Sequence, residues 1–123
     1  MSGNSLLLDT NTVLYLLGGD ETLAEFLNGK KLYISIISEL ELLSYKHLTA
    51  KDVKALTAFI SELKVENISQ EIKNASIEIR KTTSLKLPDC IIAATSIALK
   101  IPLISADKAL KIVKDLDLIV YEK

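Results

Sequence analysis

The sequence predicts an α/β fold: a three-layer α/β/α arrangement around a five-stranded, mainly parallel sheet in the strand order 3-2-1-4-5. Three observations predict it. Short apolar runs alternate with helical patterns along the whole chain, which is the signature of parallel strands joined by crossover helices. The breaks between those segments fall at Gly18-Gly19, Asn28-Gly29 and just before Pro88, where turn-forming residues belong. The chain has 123 residues, of which 49% are hydrophobic. That suits a single domain over residues 1–123, large enough to bury a core without disulfides or a structural metal.

The elements follow in order. Leu6-Leu7-Leu8-Asp9 is a short apolar run and reads as a buried strand. Thr10 or Asn11 is placed to cap a helix from Thr12 to Leu17, which stops at Gly18-Gly19. Asp20-Glu21 opens a second short helix through Leu27. Leu32 to Ser35 is the second strand, followed by a helix from Ile36 to His47. Thr49 caps a helix from Lys51 to Leu63, and Val65 to Ile68 is the third strand. Ser69, with Glu71 and Ile72 behind it, starts a helix that ends near Thr83. Pro88 suits the first turn of a helix that continues to Leu99. Leu103 to Ser105 is the fourth strand, Asp107 opens a short helix through Val113, and Leu118 to Tyr121 is the fifth strand. Right-handed crossovers then give an open, doubly wound sheet. Ligands of such sheets sit beyond the carboxyl ends of the strands, near the switch point.

Composition excludes several function classes. The net charge is −1, so a nucleic acid would have to be met by a local patch or a bridging cation. Cys90 is the only cysteine. It can form neither an internal disulfide nor a cysteine zinc cluster, and a reducing cytoplasm is the expected location. Met1-Ser2-Gly3-Asn4-Ser5 puts no positive residue before the apolar run, unlike a signal peptide. The run from Leu6 to Leu17 contains Asp9 and Asn11 and is shorter than the roughly 20 apolar residues of a membrane span; no membrane partner is expected. Aromatic residues make up 5% with no Trp, so the core must be aliphatic. The excess of aliphatic residues points to a further apolar interface.

Four carboxylates stand out. Asp9 ends the first strand and so reaches the carboxyl rim; it would equally serve as a helix cap. In the helix after the second strand, the apolar stripe centres on Ile36, Ile37, Leu40 and Leu43, with Glu39 and Glu41 on its opposite edges. Glu39 lies near Lys46 and suits a solvated ion pair, which favours Glu41 slightly and leaves both open. Asp89 is the only charge between Pro88 and Leu99. That helix is apolar on every side and therefore buried, so the acid in its first turn is read as functional ahead of the competing reading, a favourable helix-dipole interaction. Asp107 follows the fourth strand. Strands one and four adjoin the switch point, so Asp9 and Asp107 should meet. Crowded carboxylates raise one another's pKa, and a hard divalent cation, Mg2+ or Mn2+, relieves the repulsion through oxygen ligands.

At these residues the chain resembles the PIN-domain family, and within it the VapC-like toxins of toxin–antitoxin pairs. The matching segments are Leu8-Asp9-Thr10-Asn11, Ser35-Ile36-Ile37-Ser38-Glu39-Leu40-Glu41-Leu42, Leu87-Pro88-Asp89-Cys90-Ile91-Ile92-Ala93-Ala94-Thr95 and Pro102-Leu103-Ile104-Ser105-Ala106-Asp107, in the family's order. The resemblance favours Glu41 over Glu39. It implies a PIN-like fold with Asp9, Glu41, Asp89 and Asp107 as catalytic metal ligands, and Asn11 and Ser105 in support. It also implies endoribonuclease activity on structured RNA such as tRNA or rRNA, and inhibition by a cognate antitoxin. Two positions depart from the family's pattern: no small residue is evident near Ser44-Tyr45, and Cys90 stands where a small residue is common. Both leave subfamily and substrate open.

With that chemistry, one or two Mg2+ or Mn2+ ions would bind the scissile phosphate and activate a water. Lys46, Lys86 and Lys108 could steer the RNA, although each alone suits solvated helix surface. His47, at a helix end, suits a cap near the negative dipole end better than a catalytic base. Tyr15, Leu16, Leu17 and Tyr45 could form an apolar surface for the antitoxin or for a second protomer of a homodimer; core burial is the plainer reading for Leu16 and Leu17. Two other functions compete. One is a catalytically inactive PIN-like module that binds RNA or protein, with its acids acting as caps. The other is an aspartyl phosphotransfer domain, disfavoured because Asn11 stands where a second aspartate would be wanted and Asn4 is no acid.

Overall fold

The structure, a computed structural model, describes residues 4–122. The opening Met1-Ser2-Gly3, on which the signal-peptide expectation rests, lies outside the described residues. The elements are β1 (Ser5–Leu8), α1 (Thr10–Leu17), α2 (Glu21–Leu27), β2 (Lys31–Ser35), α3 (Ile36–Leu43), α4 (Ala50–Ser61), β3 (Lys64–Glu66), α5 (Gln70–Thr82), α6 (Leu87–Leu99), β4 (Leu103–Ser105) and β5 (Leu118–Val120). The expected short helix after Asp107 is a 3₁₀ segment, Lys108–Ile112. The strands form one sheet in the order β3-β2-β1-β4-β5. Every pairing is parallel, so the sheet is wholly rather than mainly parallel.

Central β1 shows why the sheet is covered on both faces. Its four residues are all buried, and successive side chains of a strand point to opposite faces. Leu6 and Leu8 join Ile34 and Ile104 in a core with Val13, Leu23, Leu42 and Leu56 of α1 to α4. Leu7 joins Tyr33 and Leu103 on the other face, against Ile72 and Ile79 of α5 and residues 90–94 of α6. Each fully buried aliphatic side chain is worth about 1.5–3 kcal/mol. Helix α6 is buried from Cys90 to Ser96, as an uncharged helix must be.

Helix starts are set by short polar side chains. Asp9, Asp20, Ser35 and Ser69 each accept a backbone N–H at the start of α1, α2, α3 and α5. Thr49 and Asp52 form a reciprocal capping box on α4. The cap of α1 is therefore Asp9, not Thr10 or Asn11, which are already helical.

The other corrections fall on α3. It ends at Leu43, where the Ser44 hydroxyl donates back to the Leu40 carbonyl and the Ser44 N–H bonds Glu41 O. His47 consequently lies in an exposed turn beyond the helix and caps nothing. The buried face of α3 carries Ser38 and Leu42, while Leu40 and Leu43 are 55% and 39% exposed. The expected stripe is thus rotated, because the small Ser38 side chain is what α1 packs against. Glu39 makes no ion pair with Lys46; among the described residues the one ion pair is Lys108–Glu122, at 3.0 Å. Strand β3 starts and stops one to two residues early, leaving Ile68 outside it and exposed.

Candidate functional site

Topology gathers the acids. In a parallel sheet all carboxyl ends lie on one rim, and a crossover helix runs antiparallel to its strands, so its first turn returns to that rim. Asp9 follows β1, and Asp107 follows β4, the strand beside it. Glu41 lies in the second turn of α3, which springs directly from β2. Asp89 occupies the first turn of α6. All four line one cavity of about 140 Å³, together with Thr10, Asn11, Tyr45 and Ile92.

Asp9 is buried and held by three donors. Its Oδ1 accepts from the Thr12 N–H at 2.9 Å and from the Thr12 hydroxyl at 2.6 Å. Its Oδ2 accepts from the Ser105 hydroxyl. Ser105 Oγ in turn accepts the Asp107 N–H at 3.0 Å, so one buried hydroxyl ties the two rim aspartates together. Thr12 Oγ1 also lies 3.0 Å from the Ile104 carbonyl, which fixes α1 to β4. Asp107 is exposed, and its Oδ1 accepts from the Ala109 N–H at 2.9 Å. Glu41 is gripped by Thr10, whose hydroxyl donates to Oε1 at 2.6 Å.

Asp89 reports on the whole cluster. Its carboxyl is pushed above the usual carboxylate range, first by burial, then by the negative charges of Asp107, Glu41 and Asp9, in that order. Lys86 acts weakly the other way, as does the amino end of α6. Asp9, Glu41 and Asp107 are therefore all within electrostatic reach of Asp89. Among the described residues, no three acidic, cysteine or histidine side chains are already drawn tightly enough around one point to cage an ion. An all-oxygen, open set of this kind fits Mg2+ or Mn2+, ions that keep several waters and take few protein ligands. It does not fit a closed structural zinc site.

Two comparisons place the chain among known proteins. The PIN domain model matches residues 6–116. This chain belongs to the PIN-domain family. Among solved structures, this PIN domain is similar to a chain of a toxin–antitoxin complex from Klebsiella pneumoniae, at 27% identity and a TM-score of 0.81, with 96% of this chain and 99% of that chain covered. It is similar in fold to a chain of VapBC2 from Rickettsia felis bound to a DNA fragment from its promoter, at 21% identity and a TM-score of 0.85, over 96% and 99% of the two chains. DNA-bound VapBC from Salmonella typhimurium gives 18% identity and a TM-score of 0.85, over 94% and 97%. No curated protein matches the sequence.

Two supporting residues were expected in this PIN domain, and they differ. Ser105 bonds directly to Asp9. Asn11 lines the cavity with an exposed side chain and bonds to none of the four carboxylates. The expected steering lysines also differ: Lys86 is close enough to act on Asp89, Lys108 is paired to Glu122, and Lys46 lies in the exposed turn after α3. Thr10, Thr12 and Ser38 are the residues that sequence reasoning missed. Thr12 carried a readable signal, since a hydroxyl three residues after an N-cap acid shares its face.

Proposed function

We propose that this PIN domain is an endoribonuclease dependent on Mg2+ or Mn2+ and acts as the toxin of a toxin–antitoxin pair. One observation carries the reading: four acids distant in sequence line one small cavity, where burial first, and then the charges of the other three, raise the Asp89 carboxyl. Such a cluster is unfavourable unless a cation balances it.

Asp9, Glu41, Asp89 and Asp107 would hold the metal, which when bound neutralises phosphate charge and acidifies a water. The chain's own residues set the geometry. Thr12 and Ser105 fix both oxygens of Asp9, and Thr10 fixes Glu41. Ile92 supplies an apolar wall. With a net charge of −1, the phosphate is met by the cation and by Lys86 rather than by the protein's overall field. Structured RNA such as tRNA or rRNA is the substrate class implied.

An antitoxin partner is supported by a second cavity of about 260 Å³, between α1 and α4, lined by Leu14, Leu17, Tyr45, Leu48, Ala55 and Leu56. The similar solved chains come from toxin–antitoxin complexes. A homodimer is the expected assembly, and the aliphatic-rich composition, 49% hydrophobic overall, is what suggests it. No helix among the described residues is long and apolar enough to cross a membrane, and a lone buried thiol suits the cytoplasm.

Cleavage of labelled tRNA and rRNA with Mg2+ or Mn2+, against EDTA, tests the proposal. Asp9→Asn should abolish cleavage and leave the fold intact, because an amide oxygen still caps α1. Asp9→Ala would confuse lost chemistry with a lost cap worth about 0.5–2 kcal/mol. Absence of cleavage with either metal, together with no Mn2+-dependent rise in Tm, would leave the inactive binding module as the better reading.

A further inference from the structure

Thr10 stands where two helices meet the acidic cavity. It is the first residue of α1, yet α1 has no use for its hydroxyl, because the cap is supplied by Asp9. The hydroxyl is instead spent on another helix. It donates to Glu41 Oε1 at 2.6 Å. Ser38 Oγ, fully buried one turn before Glu41, lies 3.0 Å from the same Thr10 oxygen. Ser38 and Glu41 are three residues apart and so share a face of α3. A threonine hydroxyl carries one hydrogen; with that hydrogen on the carboxylate, Thr10 is left to accept from Ser38. The result is a short relay, Ser38 to Thr10 to Glu41, spanning 28 and 31 residues of sequence.

A half-buried glutamate in the middle of a helix has freely rotating torsions and, without a partner, no single orientation. We infer that Thr10 is a positioning residue that sets the Glu41 carboxylate for metal binding, with Ser38 orienting Thr10. This rests on the metal-site reading above. It also gives a physical reason why Glu41, rather than Glu39, faces the cavity: only Glu41 is on the side of α3 that Thr10 and Ser38 define.

The test uses the full chain, stripped of metal, titrated with MnCl2 in a calorimeter. Thr10→Val keeps the shape and removes the hydroxyl; Thr10→Ala removes it with no risk of crowding; Thr10→Ser restores it. Loss of a hydrogen-bonded partner behind a metal ligand costs roughly 10–100-fold in affinity. Val and Ala should both show that loss of Mn2+ affinity, while Ser should match the wild type. In RNA cleavage at one sub-saturating Mn2+ concentration, kcat/KM should fall with Val and Ala, recover as Mn2+ is raised, and match the wild type with Ser. Equal Mn2+ affinity in wild type, Val and Ala overturns the role of Thr10 alone. A wild type that binds no Mn2+ overturns the metal reading itself, and this inference with it.

Discussion

Asp89 has its ionisation working against the fold. Burial and three neighbouring acids raise its pKa, so the folded protein holds this proton more tightly than the unfolded chain does. The cost of ionising it is absent below the ordinary carboxylate pKa. It grows as pH rises and is complete above the raised value. Asp89→Asn should therefore raise the Tm of the metal-free protein, and its advantage over wild type should widen from acidic to neutral pH. If the proposed metal site holds, Mn2+ should reverse the ranking at neutral pH, because the variant would lack one proposed ligand and the wild type would gain most from the cation. Thermal scans of both proteins, with EDTA and with Mn2+, would decide; a pH-independent difference in Tm would refute the electrostatic account. Ser105→Ala tests the other side of the cavity, because that hydroxyl both donates to Asp9 and accepts from the Asp107 N–H. It should lower Mn2+ affinity by roughly 10–100-fold, read by calorimetry. Asp89 was visible in the sequence because it is the lone charge of an apolar helix. Thr10 and Ser38 were not, because their value lies in meeting Glu41 across two helices, and no local spacing encodes that meeting.

Elements were legible where a single physical cause set their ends. Pro88 marks the start of α6, a helix whose apolar character admits only burial; its end at Lys100, a non-glycine residue in the αL region, has no such signal. Strands alternating with helices and the right-handed crossover make a doubly wound parallel sheet legible; the particular order β3-β2-β1-β4-β5 is matched by the PIN-like resemblance and not by those rules, which the order 2-1-3-4-5 also obeys. Helix α3 was misjudged at its far end and in its phase. The expected continuation to His47 is not seen: Ser44 is the C-cap, its N–H on the Glu41 carbonyl, and the chain leaves the helix there. Its phase was misread because Ser38 is buried, and a hydroxyl among Ile and Leu does not announce itself as core. The tight fit of α6 is the element-scale quantity to measure. Ala93 and Ala94 are wholly buried where α6 meets the sheet and α5. Ala93→Leu should cost about 1–3 kcal/mol through overpacking, seen as a lower urea midpoint with an unchanged m-value. No loss of stability would mean that the helix rides farther from the sheet than its burial indicates.

For the whole molecule, the deciding quantity is charge. A net charge of −1 on a chain whose rim concentrates four acids gives RNA no general attraction. A protein that binds nucleic acid through a lysine surface releases counterions, and its affinity falls steeply with salt, by a power of about 0.7 for each phosphate neutralised on a single strand. Here the phosphate should be met chiefly by a cation held at the rim, with Lys86 nearby. Fluorescence anisotropy of a labelled RNA should then give weak binding in EDTA with a shallow dependence on KCl. Adding Ca2+, another ion that takes oxygen ligands, should tighten binding in wild type and much less in Asp9→Asn. The contrast matters because both arrangements would cleave RNA in the presence of metal. Only one of them makes the metal the means of attachment as well as the source of chemistry. Tight binding in EDTA that collapses with salt would move the RNA onto a lysine surface away from the acids and would leave the cavity with the chemistry alone.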